Sequence, residues 1–197
     1  MKVLLTGAGG QLGQALIASA PEGLELVATS RQQLDLADPE ACRGAVEQHQ
    51  PDWVLNAGAY TAVDRAESEP ELAHAVNAGA PEAFARALDQ QGGSLLQIST
   101  DFVFNGTQGT PYQPEQARDP LGVYGASKAA GEAAVQTIFG AGGRGLILRT
   151  SWVIGPVGRN FALTMLRLHR ERDQLSVVAD QLGCPTSTLN LAQACWQ

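Results

Sequence analysis

The chain opens on a short apolar run, "KVLLT" (2–6), that passes through "GAGGQLG" into a helical pattern. Gly7, Gly10 and Gly13 fall in GxxGxxG spacing at the turn between a predicted strand and a predicted helix. A glycine turn also arises for steric reasons alone, but strand before and helix after are the context that dinucleotide binding requires. Glycines let the backbone approach a pyrophosphate, whose charge rests on the free N–H groups at the helix N-terminus. Gly7, Gly10, Gln11 and Leu12 are therefore candidate cofactor-binding residues.

Further apolar runs at 25–29, 53–57, 94–99 and 146–151 alternate with helical patterns. The expected fold is α/β, a Rossmann-type doubly wound parallel sheet with helices on both faces. In "PEAFARALDQ", Phe84, Ala87 and Leu88 have the i, i+3, i+4 spacing of one apolar helix face. Asp38 reads as an N-cap with Pro39 at the first helical position. A helix is expected in "NFALTMLRLHRER", with Phe161, Met165 and Leu168 as a core-packing stripe. The Gly- and Pro-rich stretch 105–122 suits an active-site cover or a disordered surface loop equally well. We expect a NAD(P)-binding domain over 1–151 and the start of a substrate-binding region over 152–197, cut short at "LAQACWQ".

A net charge of −7 with no basic stripe argues against nucleic acid as a partner. No apolar run approaches the ~20 residues that span a bilayer, and "MKVLLTGAGG" lacks the form of a signal peptide, so no membrane partner and a cytoplasmic location are expected. Cys42, Cys184 and Cys195 show no disulfide or zinc spacing and are expected to be buried or partly buried. Without carboxylates at ligand spacing, no metal is expected.

At the end of the second strand the sequence reads Thr29-Ser30-Arg31, with no carboxylate to bind the ribose hydroxyls. That favours NADP(H), with Arg31 near the 2'-phosphate, over NAD(H), which stays the alternative, and a solvated loop arginine is the plainer reading of Arg31. Asp35 and Leu36 are placed for the adenine edge and face, although Asp35 equally suits a turn cap.

In "VYGASKAAGEA", Tyr124 and Lys128 are four apart and share a helix face. An adjacent ammonium and an oxidised nicotinamide would lower the phenol's pKa from its ordinary ~10 and suit the two to act as an acid–base pair, although spacing alone favours a packing tyrosine and a solvent-facing lysine. The fourth strand ends in Ser99-Thr100-Asp101, and ligands of such sheets sit beyond the carboxyl ends of the strands. Thr100 is thereby brought to the edge that carries the glycine loop.

These residues resemble the extended short-chain dehydrogenase/reductases. More narrowly, "GAGGQLG", "NAGAYTAVDRAESEPELAHAVNA", "STDFVFNG", "VYGASKAAGE", "LRTSWVIG", "NFALTMLRL" and "DQLGCPTST" resemble the dTDP-4-dehydrorhamnose reductase family along essentially the whole chain. The resemblance implies hydride transfer from NAD(P)H to C4 of a dTDP-4-keto-6-deoxy sugar, giving dTDP-L-rhamnose. Tyr124 would be the general acid, Lys128 would hold the nicotinamide ribose, and Thr100 would bind the C4 oxygen. Ala57, Gly58 and Ala59 would flank the cofactor, while Asp101, Trp152 and Asn160 would face the sugar. Trp152 as core and Asn160 as an N-cap are the plainer readings. Gly58 replaces an alanine usual in the family, a change expected to be tolerated. Related 4,6-dehydratases carry Asp-Glu after the threonine, and the Asp101-Phe102 found here fits simple reduction better. The resemblance also admits a homodimer. Competing readings are another nucleotide-sugar reductase or epimerase, and a non-catalytic NADP-binding subunit of the kind associated with methionine adenosyltransferase.

Overall fold

Five parallel strands, β1 (Lys2–Thr6), β2 (Glu25–Thr29), β3 (Trp53–Asn56), β4 (Ser94–Thr100) and β5 (Gly145–Thr150), form one sheet in the order β2-β1-β3-β4-β5. The computed structural model describes residues 1–197. The predicted strands match to within one residue at each end. The chain leaves β1 toward β2, then returns past β1 to β3, so the switch point lies between β1 and β3, where open α/β sheets bind ligands.

The helices are α1 (Gln11–Ala18), α2 (Pro39–His49), α3 (Val63–Ala66), α4 (Pro70–His74), α5 (Ala80–Gln91), α6 (Val123–Phe139), α7 (Phe161–Glu171) and α8 (Thr188–Cys195). Asp38 caps α2, accepting from the Glu40 and Ala41 amides, with Pro39 at the first turn as its sequence indicates. On one sheet face Leu4, Val54 and Leu95 meet Val46 of α2, Phe84 and Leu88 of α5, and Val135 of α6. On the other, Val3, Leu5, Leu55 and Leu96 meet Leu12 and Leu16 of α1 and Leu191 and Ala192 of α8. Strands buried on both faces account for the continuous apolar runs read in the sequence. A second sheet pairs β6 (Val153–Ile154) with β7 (Thr186–Ser187), both short and parallel.

Three expectations are corrected. The apolar stripe of α7 is not core: the helix contains no buried residue, Phe161 is 46% exposed, and Met165 and Leu168 are only half-buried. Periodicity identifies an amphipathic helix without saying what covers it. Cys184 is exposed, in a segment without helix or strand, whereas Cys42 is buried and Cys195 partly so. The stretch 105–122 is not an active-site cover, since none of its residues lines the main cavity. It folds on itself: Tyr112 stacks on Phe104 at 4.2 Å, Asn105 Nδ2 donates to Asp119, and the Asp119 amide returns to the Val103 carbonyl.

Candidate active site

A cavity of about 800 Å³ runs along the carboxyl edge of the main sheet, from the β2 end to β5. Its floor is backbone where the glycines require it. Gly7 has φ +69°, and a Cβ there would lie 2.7 Å from the Gly58 amide nitrogen and 2.9 Å from the Ala57 carbonyl carbon. At Gly13 a Cβ would strike the Gly7 carbonyl oxygen, so helix and turn pack together only with glycine. Gly10, the N-cap of α1, offers no side-chain cap, which leaves the first-turn N–H groups to an anion. Gly7, Gly10, Gln11 and Leu12 all line the cavity.

Beneath this turn runs a polar row that sequence reading did not single out. Thr6, Asn56 and Gln97 stand in register on β1, β3 and β4, all buried. Thr6 Oγ1 donates to Asn56 Oδ1 at 2.5 Å, and Asn56 Nδ2 donates to Gln97 Oε1 at 2.7 Å. The Gly58 amide then donates to Thr6 Oγ1 at 3.1 Å, fixing the Ala57-Gly58-Ala59 turn against the glycine loop. The available signal was a polar residue ending the apolar runs of β1 and β3 and interrupting that of β4.

Toward β2, Ser30, Arg31, Asp35 and Leu36 line the cavity. Arg31 is exposed. Asp35 Oδ1 accepts from the Ala37 amide at 3.0 Å, the turn-capping alternative.

Toward β5 the cavity is lined by Thr100, Asp101, Tyr124, Lys128 and Trp152, so the residues proposed for chemistry share one wall with the glycine loop. Thr100 Oγ1 donates to Asp101 Oδ1 and accepts from the Phe102 amide, while Ser151 Oγ donates to Asp101 Oδ2 at 2.8 Å. Tyr124 meets Phe102 edge to face at 5.6 Å. Burial raises the Tyr124 phenol above its ordinary value, the Thr100 side chain opposes the rise, and the Asp101 carboxylate adds to it. Lys128 is not among the groups acting on the phenol, its ammonium being bonded to a main-chain carbonyl. Lys128 is 4% exposed, and its Nζ donates to the Ile98 carbonyl at 2.7 Å. Burial pulls its pKa down to about 8 against the opposing pull of Glu132.

Helix α6 carries Tyr124 and Lys128 and is positioned by contacts that the sequence did not reveal. At Gly125 a Cβ would collide with the Phe102 carbonyl oxygen, and at Gly131 with that of Asn77. Asn77 lies in a π-helical turn, Ala75–Gly79, bonds both the amide and the carbonyl of Tyr60, and donates to Ser127 Oγ at 3.0 Å. Ser127 in turn donates to the Tyr124 carbonyl. On α6 itself, fully buried Glu132 accepts from Ser99, Arg149 and Arg118.

Trp152 has φ +45°, uncommon for a bulky residue, and stands edge-on to Phe161 at 5.5 Å. Asn160 does not line the cavity. Its Oδ1 caps α7 through the Leu163 amide, and its Nδ2 donates to Gln11 Oε1 and the Gly155 carbonyl, as the plainer reading had it.

The family model for the RmlD substrate binding domain matches residues 1–197. The chain is 46% identical over 196 residues to the dTDP-4-dehydrorhamnose reductase of Salmonella typhimurium, covering 98% of this chain and 64% of that protein. It is 44% identical over 192 residues to the reductase of Burkholderia thailandensis, covering 98% and 63%. A solved structure, the Bacillus anthracis reductase in complex with NADP, superposes with a TM-score of 0.92 at 37% identity, covering 98% of this chain and 68% of that one. The chain thus spans slightly less than two thirds of the curated relatives' length. With agreement along the entire chain in sequence, and in backbone with a reductase structure, the chain belongs to the dTDP-4-dehydrorhamnose reductase family.

Proposed function

We propose that this chain holds the cofactor and the acid–base residues of an NAD(P)H-dependent reductase that converts dTDP-4-dehydrorhamnose to dTDP-L-rhamnose. One observation carries the reading: Thr100, Tyr124 and Lys128 line the same cavity edge as the Gly7 turn. Residues 1–151 would form the cofactor domain and 152–197 the first part of the sugar-binding region.

The residues fit a dinucleotide. The Gly7 turn is a cradle that any Cβ would fill, and α1 presents uncapped N–H groups beside it. Arg31 with no carboxylate at the end of β2 favours NADPH, as does the NADP bound in the Bacillus anthracis relative. When bound, the nicotinamide supplies the hydride that reaches C4.

Tyr124 supplies the proton. Its raised pKa keeps the phenol protonated at neutral pH, the form that can donate to a C4 oxygen gaining charge. Thr100 donates to Asp101 and accepts from the Phe102 amide, and its effect on the phenol is to ease proton release. By exchanging the Asp101 bond, Thr100 can donate to the C4 oxygen instead. Lys128, cationic below a pKa of about 8, offers further N–H donors to a ribose hydroxyl beyond the one held by Ile98. Trp152 and Asp101 face the sugar in this reading, and Asn160 acts on it only by seating α7. Free thiols and nicotinamide chemistry suit a reducing cytoplasm, and a homodimer is the assembly we carry forward from the family resemblance.

The test is NADPH consumption with dTDP-4-dehydrorhamnose, followed by near-ultraviolet absorbance, using the protein that carries this chain. Tyr124→Phe should lower the rate by roughly 10²- to 10⁴-fold and leave NADPH affinity unchanged. No turnover by the unaltered protein would end the reductase reading, and an undiminished rate in Tyr124→Phe would remove Tyr124 from it.

A further inference from the structure

Thr150 Oγ1 is the one buried side-chain polar atom without a hydrogen-bond partner. Native proteins pair nearly all such atoms, because an unpaired buried hydroxyl forfeits its bonds to water. The exception stands at a specific place. Thr150 closes β5, pairs in register with Thr100 on β4, and lines the cavity. Along β5 the alternation puts Leu148 in the α1/α8 core and Arg149 against Glu132 of α6, so Thr150 faces the same side as Leu148. On β4, Ile98 belongs to that core and Ser99 bonds Glu132, so Thr100 faces that side as well. The two threonines are therefore neighbours on one face, with Thr100 bonded to Asp101 and Phe102 and Thr150 to nothing.

Position along the sheet edge indicates the ligand group. With Arg31 and Asp35 at the β2 end and the glycine turn at β1, a dinucleotide lying along the edge has its adenosine half there. Its nicotinamide half then falls over β3, β4 and β5, beside Tyr124 and Lys128. A primary carboxamide both gives and takes hydrogen bonds, as does a threonine hydroxyl. Resting on the cofactor reading above, we propose that Thr150 binds the nicotinamide carboxamide through its hydroxyl and fixes the ring at the β5 end of the cavity.

The test compares NADPH with 2'-phospho-ADP-ribose, which lacks only the nicotinamide, in calorimetric titrations of the unaltered chain, Thr150→Val and Thr150→Ser. Thr150→Val, which keeps the shape and removes the unpaired hydroxyl, should weaken NADPH by about tenfold. It should leave 2'-phospho-ADP-ribose unchanged and thermal stability equal or higher. Thr150→Ser should bind NADPH like the unaltered chain. Thr150→Ala carries the same binding expectation and serves if the valine variant does not fold. Equal NADPH affinity in the hydroxyl-free variants would overturn the assignment, as would a loss shared by 2'-phospho-ADP-ribose. Failure of the unaltered chain to bind either ligand would instead remove the cofactor reading itself, and this assignment with it.

Discussion

Lys128 Nζ donates to the main-chain carbonyl of Ile98 at 2.7 Å, tying α6 to β4 from the helix side of the sheet. The tie carries a buried charge. Burial moves the Lys128 pKa from 10.5 to about 8. Between these values the unfolded chain binds the proton and the folded chain does not, so this group's contribution to stability rises with pH. Cys42 and Cys195, raised by burial from 9.0 to about 12 and about 11, act in the opposite sense above pH 9. They cancel in a comparison with Lys128→Met. That variant should be more stable than the unaltered chain near pH 7, with an advantage that shrinks by pH 10. Urea titrations at the two pH values check this, and a gap independent of pH would contradict the depressed pKa.

Glu132 is the corresponding anion, fully buried and held by Arg149, Arg118 and Ser99. Burial opposes its ionisation, but the Arg149 and Ser99 hydrogen bonds, the Arg149 charge and Arg118 outweigh it and hold the carboxyl below its ordinary range. A carboxylate lowered in the fold stabilises above its unfolded pKa of ~4.3, and this contribution is lost as pH falls through the folded value. Removing one partner of a buried pair leaves the others uncompensated, so Glu132→Ala should cost about 3–5 kcal/mol. Arg149 also donates to the Pro114 carbonyl, and Arg118 lies within the 105–122 stretch. Limited proteolysis should therefore cut 105–122 faster in the variant, and unchanged cleavage would mean that the stretch holds itself.

Why the sheet was legible and this cluster was not follows from the range of the interactions. Apolar runs, the Asp38-Pro39 helix start and the Gly7 turn are local, and each constrains the backbone within a few residues of itself. Thr100, Tyr124 and Lys128 could be grouped because parallel strands must release their carboxyl ends on one edge. Asn77 to Ser127, Glu67 to Val123 and Thr6 to Asn56 each join residues at least 50 positions apart, and no period or spacing encodes them. Chemical direction was lost for the same reason. The YxxxK spacing put Lys128 near Tyr124, but only the fold shows that the ammonium turns to Ile98 while Asp101 acts on the phenol.

Two glycines of the cofactor turn should respond differently to alanine. At Gly58 a Cβ would approach Leu36 Cδ1 to 2.5 Å and Thr6 Oγ1 to 3.2 Å, and the nearer atom is the end of a mobile side chain. Gly58→Ala should fold normally but displace Leu36, weakening NADPH several-fold at its adenine end. Gly7→Ala meets backbone at 2.7–2.9 Å and needs a positive φ. It should cost about 1–3 kcal/mol for the strained φ and more for the collision. Circular-dichroism melts with NADPH titrations separate the two, and equal losses of stability would refute the distinction.

The N-terminus of α6 has its own dependence on a distant residue. Gly122, the N-cap, supplies no capping side chain, and Glu67 Oε1 takes that role by accepting from the Val123 amide at 2.8 Å. A Cβ at Gly122 would stand 2.8 Å from the same oxygen, so the glycine makes room for the carboxylate. An anion at this end also suits the helix dipole. Glu67→Ala should cost about 1 kcal/mol and speed amide exchange at Val123, with α5 amides unaffected. Because Tyr124 is the next residue, loosening this turn should lower kcat more than it raises KM for NADPH. Glu67→Gln keeps an acceptor oxygen and should recover most of both effects. If exchange at Val123 does not change in Glu67→Ala, the carboxylate does not cap the helix in solution, and Tyr124 is held without it.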